Sequence, residues 1–294
     1  MKTAIVALTR GYPNNRSLYS DLIKRNDSIF KNIINLRNKQ TDLILFHEGN
    51  ISKSDQDYIN SFYPKKIIFK NVSKYFQKIN FNLDGEEKFS IGYRQMCRFN
   101  MFHIWNEISE YDYIFRIDED IEILNCNPLL FEYMKSKNWI YMTGRFTKET
   151  HRLTNRTLPY FLKNNTNLFV EKIYNHRNPY TNLYASEVKF WLDDEVQSIL
   201  KIVAMSDEQI INRWGDHTVQ GIILNHKNIK INLFDKLEYK HCSHDLIIKN
   251  NFFRNKFLNS KLNPISINAG ILAKIKLKIK GHFKSTNKFD FERF

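Results

Sequence analysis

Three consecutive carboxylates, Asp118, Glu119 and Asp120, interrupt the run from Tyr111 to Ile123 (YDYIFRIDEDIEI) just after its aromatic and β-branched half. Acids crowded at the end of a strand repel one another unless a cation, a basic side chain or water neutralises them, so a divalent metal is a natural guest. An acidic surface turn is the bland alternative. Upstream, Arg94 and Arg98 stand four residues apart on one stripe of a helical pattern, where two guanidiniums suit either a phosphate or an ion pair with acids. Downstream, Glu187 is a single acid among apolar and aromatic neighbours, Trp214-Gly215-Asp216 interrupts a second helical pattern, and Tyr239, His241 and His244 follow a core-like strand.

Such residues need a scaffold that brings them together, and the hydrophobic pattern supplies one. Thr3 to Thr9 (TAIVALT) reads as a strand broken by Arg10-Gly11-Tyr12-Pro13, and Leu18 to Leu36 carries apolar residues at helical spacing. Asp42 to Glu48 reads as a second strand, Ser52 to Phe62 as a short helix and Lys66 to Phe69 as a third strand. Ser90 to Ile108 predicts a helix, Tyr111 to Ile117 the strand that ends in the acids, and Trp139 to Thr143 another strand. Thr147 to Asn182 is polar, aromatic and irregular; Tyr184 to Phe190 contains Glu187; Asp193 to Met205 and the interrupted Glu208 to Leu224 read as helices; Ile229 to Leu233 reads as the last core strand. A strand, helix, strand opening predicts a crossover and a central mixed, mainly parallel sheet flanked by helices, an α/β fold of Rossmann-like type.

Composition sets the outer limits. The chain has 294 residues, 42% of them hydrophobic, which is enough for one large globular domain. Cys97, Cys126 and Cys242 lack the spacing of a metal knuckle or a disulfide framework and suit reduced thiols. The N-terminal apolar run is too short to cross a membrane, so the first strand is expected directly at the N-terminus with no anchor before it. Of the net charge of +14, nine positive charges fall from Lys249 onward, where eleven Lys and Arg face Asp290 and Glu292 alone. This distribution speaks against a nucleic-acid groove across the main domain and for a basic appendage that meets anionic surfaces. The expected organisation is a catalytic domain over 1–248 and a basic segment over 249–294. Within that segment Ile271, Leu272, Ile275, Ile279 and Phe283 share one helical arc flanked by lysines, as in an interfacial helix, while the same run also alternates as a strand would.

The blocks Tyr93-Arg94-Gln95-Met96-Cys97-Arg98-Phe99, Phe115-Arg116-Ile117-Asp118-Glu119-Asp120, Glu187, Arg213-Trp214-Gly215-Asp216 and Tyr239-Lys240-His241 occur in that order. Together they resemble glycosyltransferase family 15, the fungal-type α-1,2-mannosyltransferases, whose members carry Y-R-N-M-C-R-F, W-R-V-E-P-D, N-F-E-I, Y-E-R-W-G-D and a later Y-x-H. The A-L-T-R and L-I-L-F-H-E stretches extend the resemblance towards the N-terminus. Glu119 stands where the family has proline, Asp118 where it has glutamate, and Asn212 where it has the glutamate before R-W-G-D.

The resemblance implies a GT-A fold, a GDP-mannose donor, Mn²⁺, and transfer with retention to a glycan or lipid-linked saccharide. It implies Asp120 and His241 as metal ligands with Asp118 in the same shell. Arg10, Tyr93, Arg94, Arg98 and Arg116 would line the nucleotide side, Glu187 would be the carboxylate on the sugar's β face, and Asp216 would bind sugar or acceptor hydroxyls or hold its loop. The setting expected from the reduced cysteines and the basic tail, rather than from the resemblance, is cytoplasmic and peripheral, at the inner face of a membrane. Alternatives are a different nucleotide sugar, a metal-dependent nucleotidyl- or phosphotransferase, and, as a non-enzyme, a basic nucleic-acid-binding protein.

Overall fold

The computed structural model describes residues 1–13, 15–37, 40–79, 89–170, 173, 177–242 and 246–251. The chain opens with β1 (Thr3–Leu8), α1 (Ser20–Asn32), β2 (Thr41–His47), α2 (Lys53–Asn60) and β3 (Ile68–Asn71). β1 pairs parallel with β2, and β2 with β3. The TAIVAL run of β1 is apolar throughout because both of its faces are covered. Ala4 and Val6 enter a core with Phe46, Phe99 and Trp105, while Ile5 and Ala7 enter the opposite one with Leu45, Ile29 and Phe115.

Next comes a long helix made of α3 (Ile91–Arg98), a π-helical turn at Phe99–His103 and α4 (Ile104–Glu107). The expected start at Ser90 is observed: its side chain accepts from the Tyr93 N–H, as Ser52 accepts from Asp55 N–H at the start of α2. β4 (Tyr113–Ile117), fully buried, leads through the turn Asp118–Asp120 into β5 (Ile121–Cys126). α5 (Leu130–Ser136), β6 (Tyr141–Thr143), β7 (Phe146–Thr147), α6 (Arg152–Asn165) and β8 (Asn178–Pro179) follow. The later elements are β9 (Leu183–Glu187), α7 (Val188–Trp191), α8 (Asp194–Met205), α9 (Asp207–Ile211), α10 (Asp216–His226), β10 (Ile231–Leu233), β11 (Lys236–His241) and β12 (Leu246–Asn251).

The main sheet has the order β10-β6-β9-β4-β1-β2-β3, parallel except for β9, which runs antiparallel to β4 and β6. The expected mixed, mainly parallel sheet flanked by helices is therefore what the chain builds. β1 lies between β2 and β4, and in open α/β sheets such a reversal of strand order leaves a crevice beyond the carboxyl ends. Thr9-Arg10 and Asp118–Asp120 both sit just past those ends.

Two expectations need correction. The segment read as irregular contains α6, whose buried side chains Thr154, Leu158 and Leu162 repeat every fourth residue; Pro159 inside the helix had masked that period. A second sheet, β12-β11-β5, was also unread, and the boundary expected at 248/249 falls inside β12. The amphipathic run 271–284 and His244 lie outside the described residues. No helix among the described residues is long and apolar enough to cross a membrane.

Candidate active site

The acidic turn is placed by its two strands and then met by a third. β11 runs antiparallel to β5 with His241 opposite Ile121, so the last residue of β11 arrives beside the turn. Backbone bonds hold the meeting point: Asp118 N–H donates to Asn182 O at 2.8 Å, and Cys242 N–H to Asp120 O at 2.9 Å. One ligand atom each from Asp118, Asp120 and His241 lies within 4.8 Å of the others. The His241 Nε2 is 3.2 Å from Asp120 Oδ2.

Packing brings this second sheet close. Gly144, at the end of β6, faces the Tyr239 hydroxyl so closely that a Cβ there would lie 2.7 Å from it. Any larger residue would crowd the ring of the buried Tyr239 in β11.

The electrostatics of the turn are those of a cation site. Burial pushes the Asp118 carboxyl up to about 6; the neighbouring Arg116 works against this, and Asp120 and Asp216 reinforce it. Arg116, buried in β4, pairs with Asp118 at 2.6 Å and donates to the Thr181 carbonyl. Burial opposes its charge, but Asp118 and Asp216 outweigh burial and hold the guanidinium's pKa up. Asp216, buried at the start of α10, raises Asp118 and also the thiol of Cys97, for which burial is the larger cause. Tyr93, on the same side, is raised first by Cys97, then by burial and by Asp216.

The donor set fits a divalent metal such as Mn²⁺, which accepts carboxylate and imidazole ligands together. The surroundings of His241 agree. Its Nδ1 faces the Asn182 amide nitrogen at 3.4 Å, and the Asn182 Oδ1 is buried with no protein partner. Amide orientation is an assignment; turned over, the amide would accept from Nδ1–H and leave Nε2 as a ligand atom.

Not every predicted residue comes to this place. Arg94, fully buried, donates to the carbonyls of Phe89, Ile210 and Ile211, and Arg98 donates to Gln209 Oε1 at 2.9 Å and to the Ser206 carbonyl. Both anchor α9 against the long helix, so their expected place at the phosphates is corrected: these guanidiniums are already satisfied by the protein. Glu187 is corrected too. β9 runs antiparallel to β4, which puts Glu187 opposite Tyr113 and Leu183 opposite Ile117. Glu187 therefore sits at the amino end of β4, about 13 Å along the strand from the acidic turn. There it lines a cavity with Met1, Asp112 and Lys189.

Arg10 does reach the crevice, held by the residue that departs from the family pattern. Glu119 accepts from Thr9 Oγ1 at 2.8 Å, from Arg10 N–H at 3.2 Å and from Arg10 Nε at 2.9 Å. Gly11 makes the approach possible, since a Cβ there would lie 2.1 Å from the Asn50 carbonyl oxygen.

Several residues of the site were not singled out beforehand. They are Asn182, Tyr180 with Arg145 beside it, and the pair Glu149–His217. Glu149 accepts from Thr218 Oγ1 at 2.6 Å and His151 N–H at 2.7 Å, with His217 Nε2 at 3.3 Å. Burial alone would raise its pKa, but these partners bring it down to about 2. The sequence signal for His217 was its place directly after Asp216; Arg145 and Glu149 lie in the stretch read as loop, and nothing in their spacing marked them.

No family model matches the chain. The probable mannosyltransferase KTR3 of Saccharomyces cerevisiae is 27% identical over 173 residues, which is 52% of this chain and 43% of KTR3. Core-mannan synthase A (CmsA/Ktr4) of Aspergillus fumigatus, solved in a Mn/GDP form, aligns with a TM-score of 0.67 at 15% identity, covering 82% of this chain and 74% of that one. The chain is thus similar in sequence to a probable mannosyltransferase and similar in fold to solved mannosyltransferases. The mannosyltransferase Ktr4p of S. cerevisiae aligns with a TM-score of 0.63 at 15% identity over 82% of this chain and 70% of its own. The fold is thus the GT-A fold, although the chain spans less than half the length of the curated relative it matches.

Proposed function

We propose that the chain is a metal-dependent glycosyltransferase that takes a hexose, mannose in the first instance, from a GDP-sugar. The observation that carries this reading is the convergence of Asp118, Asp120 and His241 at the carboxyl end of β4, facing Arg10 across the crevice of a GT-A fold. A relative bearing the name mannosyltransferase and a fold relative solved with Mn and GDP support the choice of donor and metal. Asp118, Asp120 and His241 would hold Mn²⁺, whose charge would offset that developing on the diphosphate as the glycosidic bond breaks. Arg116 fixes Asp118, Asn182 orients His241, and Arg10, positioned by Glu119, contributes positive charge towards the nucleotide.

Retention of anomeric configuration calls for a carboxylate near the sugar. Asp216, which shares a field with Asp118 and Arg116, is the acid we assign there in place of Glu187. The proposed acceptor is a glycan or lipid-linked saccharide, with the basic segment from Lys249 meeting an anionic membrane surface. The test is a panel of sugar nucleotides with and without Mn²⁺, scoring hydrolysis and transfer by wild type, Asp120→Ala and Asp216→Asn. Metal-dependent turnover of GDP-mannose that both variants lose is the expected result. Turnover independent of metal, or undiminished in Asp120→Ala, would overturn the proposal.

A further inference from the structure

The arginines expected at the phosphates are occupied by the protein: Arg94 and Arg98 by α9 carbonyls and a glutamine, Arg116 by Asp118 and Arg10 by Glu119. Arg145 is different. It follows Gly144 at the end of β6, and its backbone is fixed, since its carbonyl accepts from Thr143 Oγ1 at 3.0 Å and Tyr180 N–H at 2.9 Å. Its half-buried guanidinium lies 4.8 Å over the Tyr180 ring, and that ring is 6.1 Å from the imidazole of His241. Cation, aromatic ring and metal-ligand candidate thus stand in series. Among the described residues, Arg145 has no ion pair and its side chain makes no hydrogen bond.

A cation–π contact satisfies no hydrogen bond to an oxygen, so Tyr180 holds the guanidinium in place while its five N–H donors stay available to an anion. The charge balance says what those donors are for. Asp118, Asp120 and Asp216 carry three negative charges against one positive charge on Arg116, and a divalent cation brings that group to neutrality. A nucleoside diphosphate adds two to three more negative charges, roughly, as it departs. Arg10 is shared with Glu119, whereas Arg145, among the described residues, is a cation beside the ligand set with no anionic partner.

We propose that Arg145 is the residue that binds the β-phosphate of the sugar nucleotide. This deepens the function proposed above and rests on it. In the transfer, the bond from the sugar's anomeric carbon to the β-phosphate oxygen breaks and its electron pair goes to that oxygen. The acceptor oxygen bonds the same carbon, and its proton passes to the departing phosphate. Arg145 donates a paired hydrogen bond to the phosphate oxygens on which this charge collects.

The test is calorimetric affinity for GDP and for GMP, both with Mn²⁺, in wild type, Arg145→Met and Arg145→Lys. Methionine keeps an apolar stem against Tyr180, and melting within about 2 °C of wild type is expected. GDP affinity should fall about 30-fold in Arg145→Met, from loss of one charge-assisted pair, and about fivefold in Arg145→Lys. GMP affinity should change by less than about threefold, because GMP lacks the β-phosphate. Equal losses for both nucleotides, or an unchanged GDP affinity while wild type binds GDP normally, would overturn the inference alone. Failure of wild type to bind GDP with Mn²⁺ would overturn the functional reading as well. Should Arg145→Met not fold, the GDP-against-GMP contrast in Arg145→Lys decides in the same way.

Discussion

Replacing Asp118 by asparagine should move stability in opposite directions with and without metal. In the metal-free fold the Asp118 carboxyl ionises near about 6, against 3.8 ordinarily, because burial and the neighbouring acids disfavour its charge more than Arg116 favours it. A raised folded-state pKa means the associated stability is fully present below the unfolded value and is lost as pH rises through the folded value. The cost therefore grows between about pH 4 and pH 6 and is complete at pH 7. Full linkage would make it about 3 kcal/mol, and screening of a side chain that is 30% exposed reduces it to about 1 kcal/mol. Asparagine keeps an oxygen that can accept from Arg116 while removing the charge. In chelator at pH 7, Asp118→Asn should thus melt about 2 to 4 °C above wild type, and at pH 4 the two should coincide. With Mn²⁺ at a hundred times its dissociation constant, wild type should gain about 2.7 kcal/mol, an increment the variant, short of one ligand, should largely lose. The order of melting temperatures then reverses on adding metal. Calorimetry or circular dichroism at both pH values, with chelator and with Mn²⁺, reads this out directly. A metal-free variant less stable than wild type at pH 7, or an undiminished Mn²⁺ increment, would refute the reasoning.

Three further outcomes follow from the same geometry. Glu149 has a folded pKa depressed from 4.5 to about 2, so its contribution is present above pH 4.5 and disappears as pH falls towards 2. Glu149→Gln should cost about 2 to 3 kcal/mol in urea unfolding at pH 7 and much less at pH 3; a pH-independent cost would show that its bonds to Thr218 and His217 act without its charge. Asn182→Ala should weaken Mn²⁺ binding by about tenfold through loss of the group that orients His241, measured by titration calorimetry. Glu187→Gln should leave GDP-sugar turnover within about twofold of wild type, because the residue lies at the other end of β4; a loss of orders of magnitude would restore it as the catalytic carboxylate.

The difference between Glu187 and Asn182 shows what a sequence can and cannot say about such a site. The strand of β1, the buried run of β4, the helix starts at Ser52 and Ser90 and the carboxylates past the end of β4 are local properties, and they were legible because strand and helix periodicity depend on near neighbours. Residue chemistry was legible as well, but not how it is used. A guanidinium suits backbone carbonyls as well as phosphate, so nothing in the spacing of Arg94 and Arg98 distinguished anchors for α9 from ligands for a nucleotide. The position of a residue across the sheet depends on strand direction, which is set by pairing with distant segments. Had β9 run parallel to β4, its last residue, Glu187, would have arrived beside Asp118. Because it runs antiparallel, its beginning arrives there instead, and Asn182, just before β9, offers its backbone to Asp118 and its amide to His241. One reversal of direction exchanged an acid for an amide at the candidate metal site, and it also brought Tyr180, with Arg145 over its ring, to the same crevice.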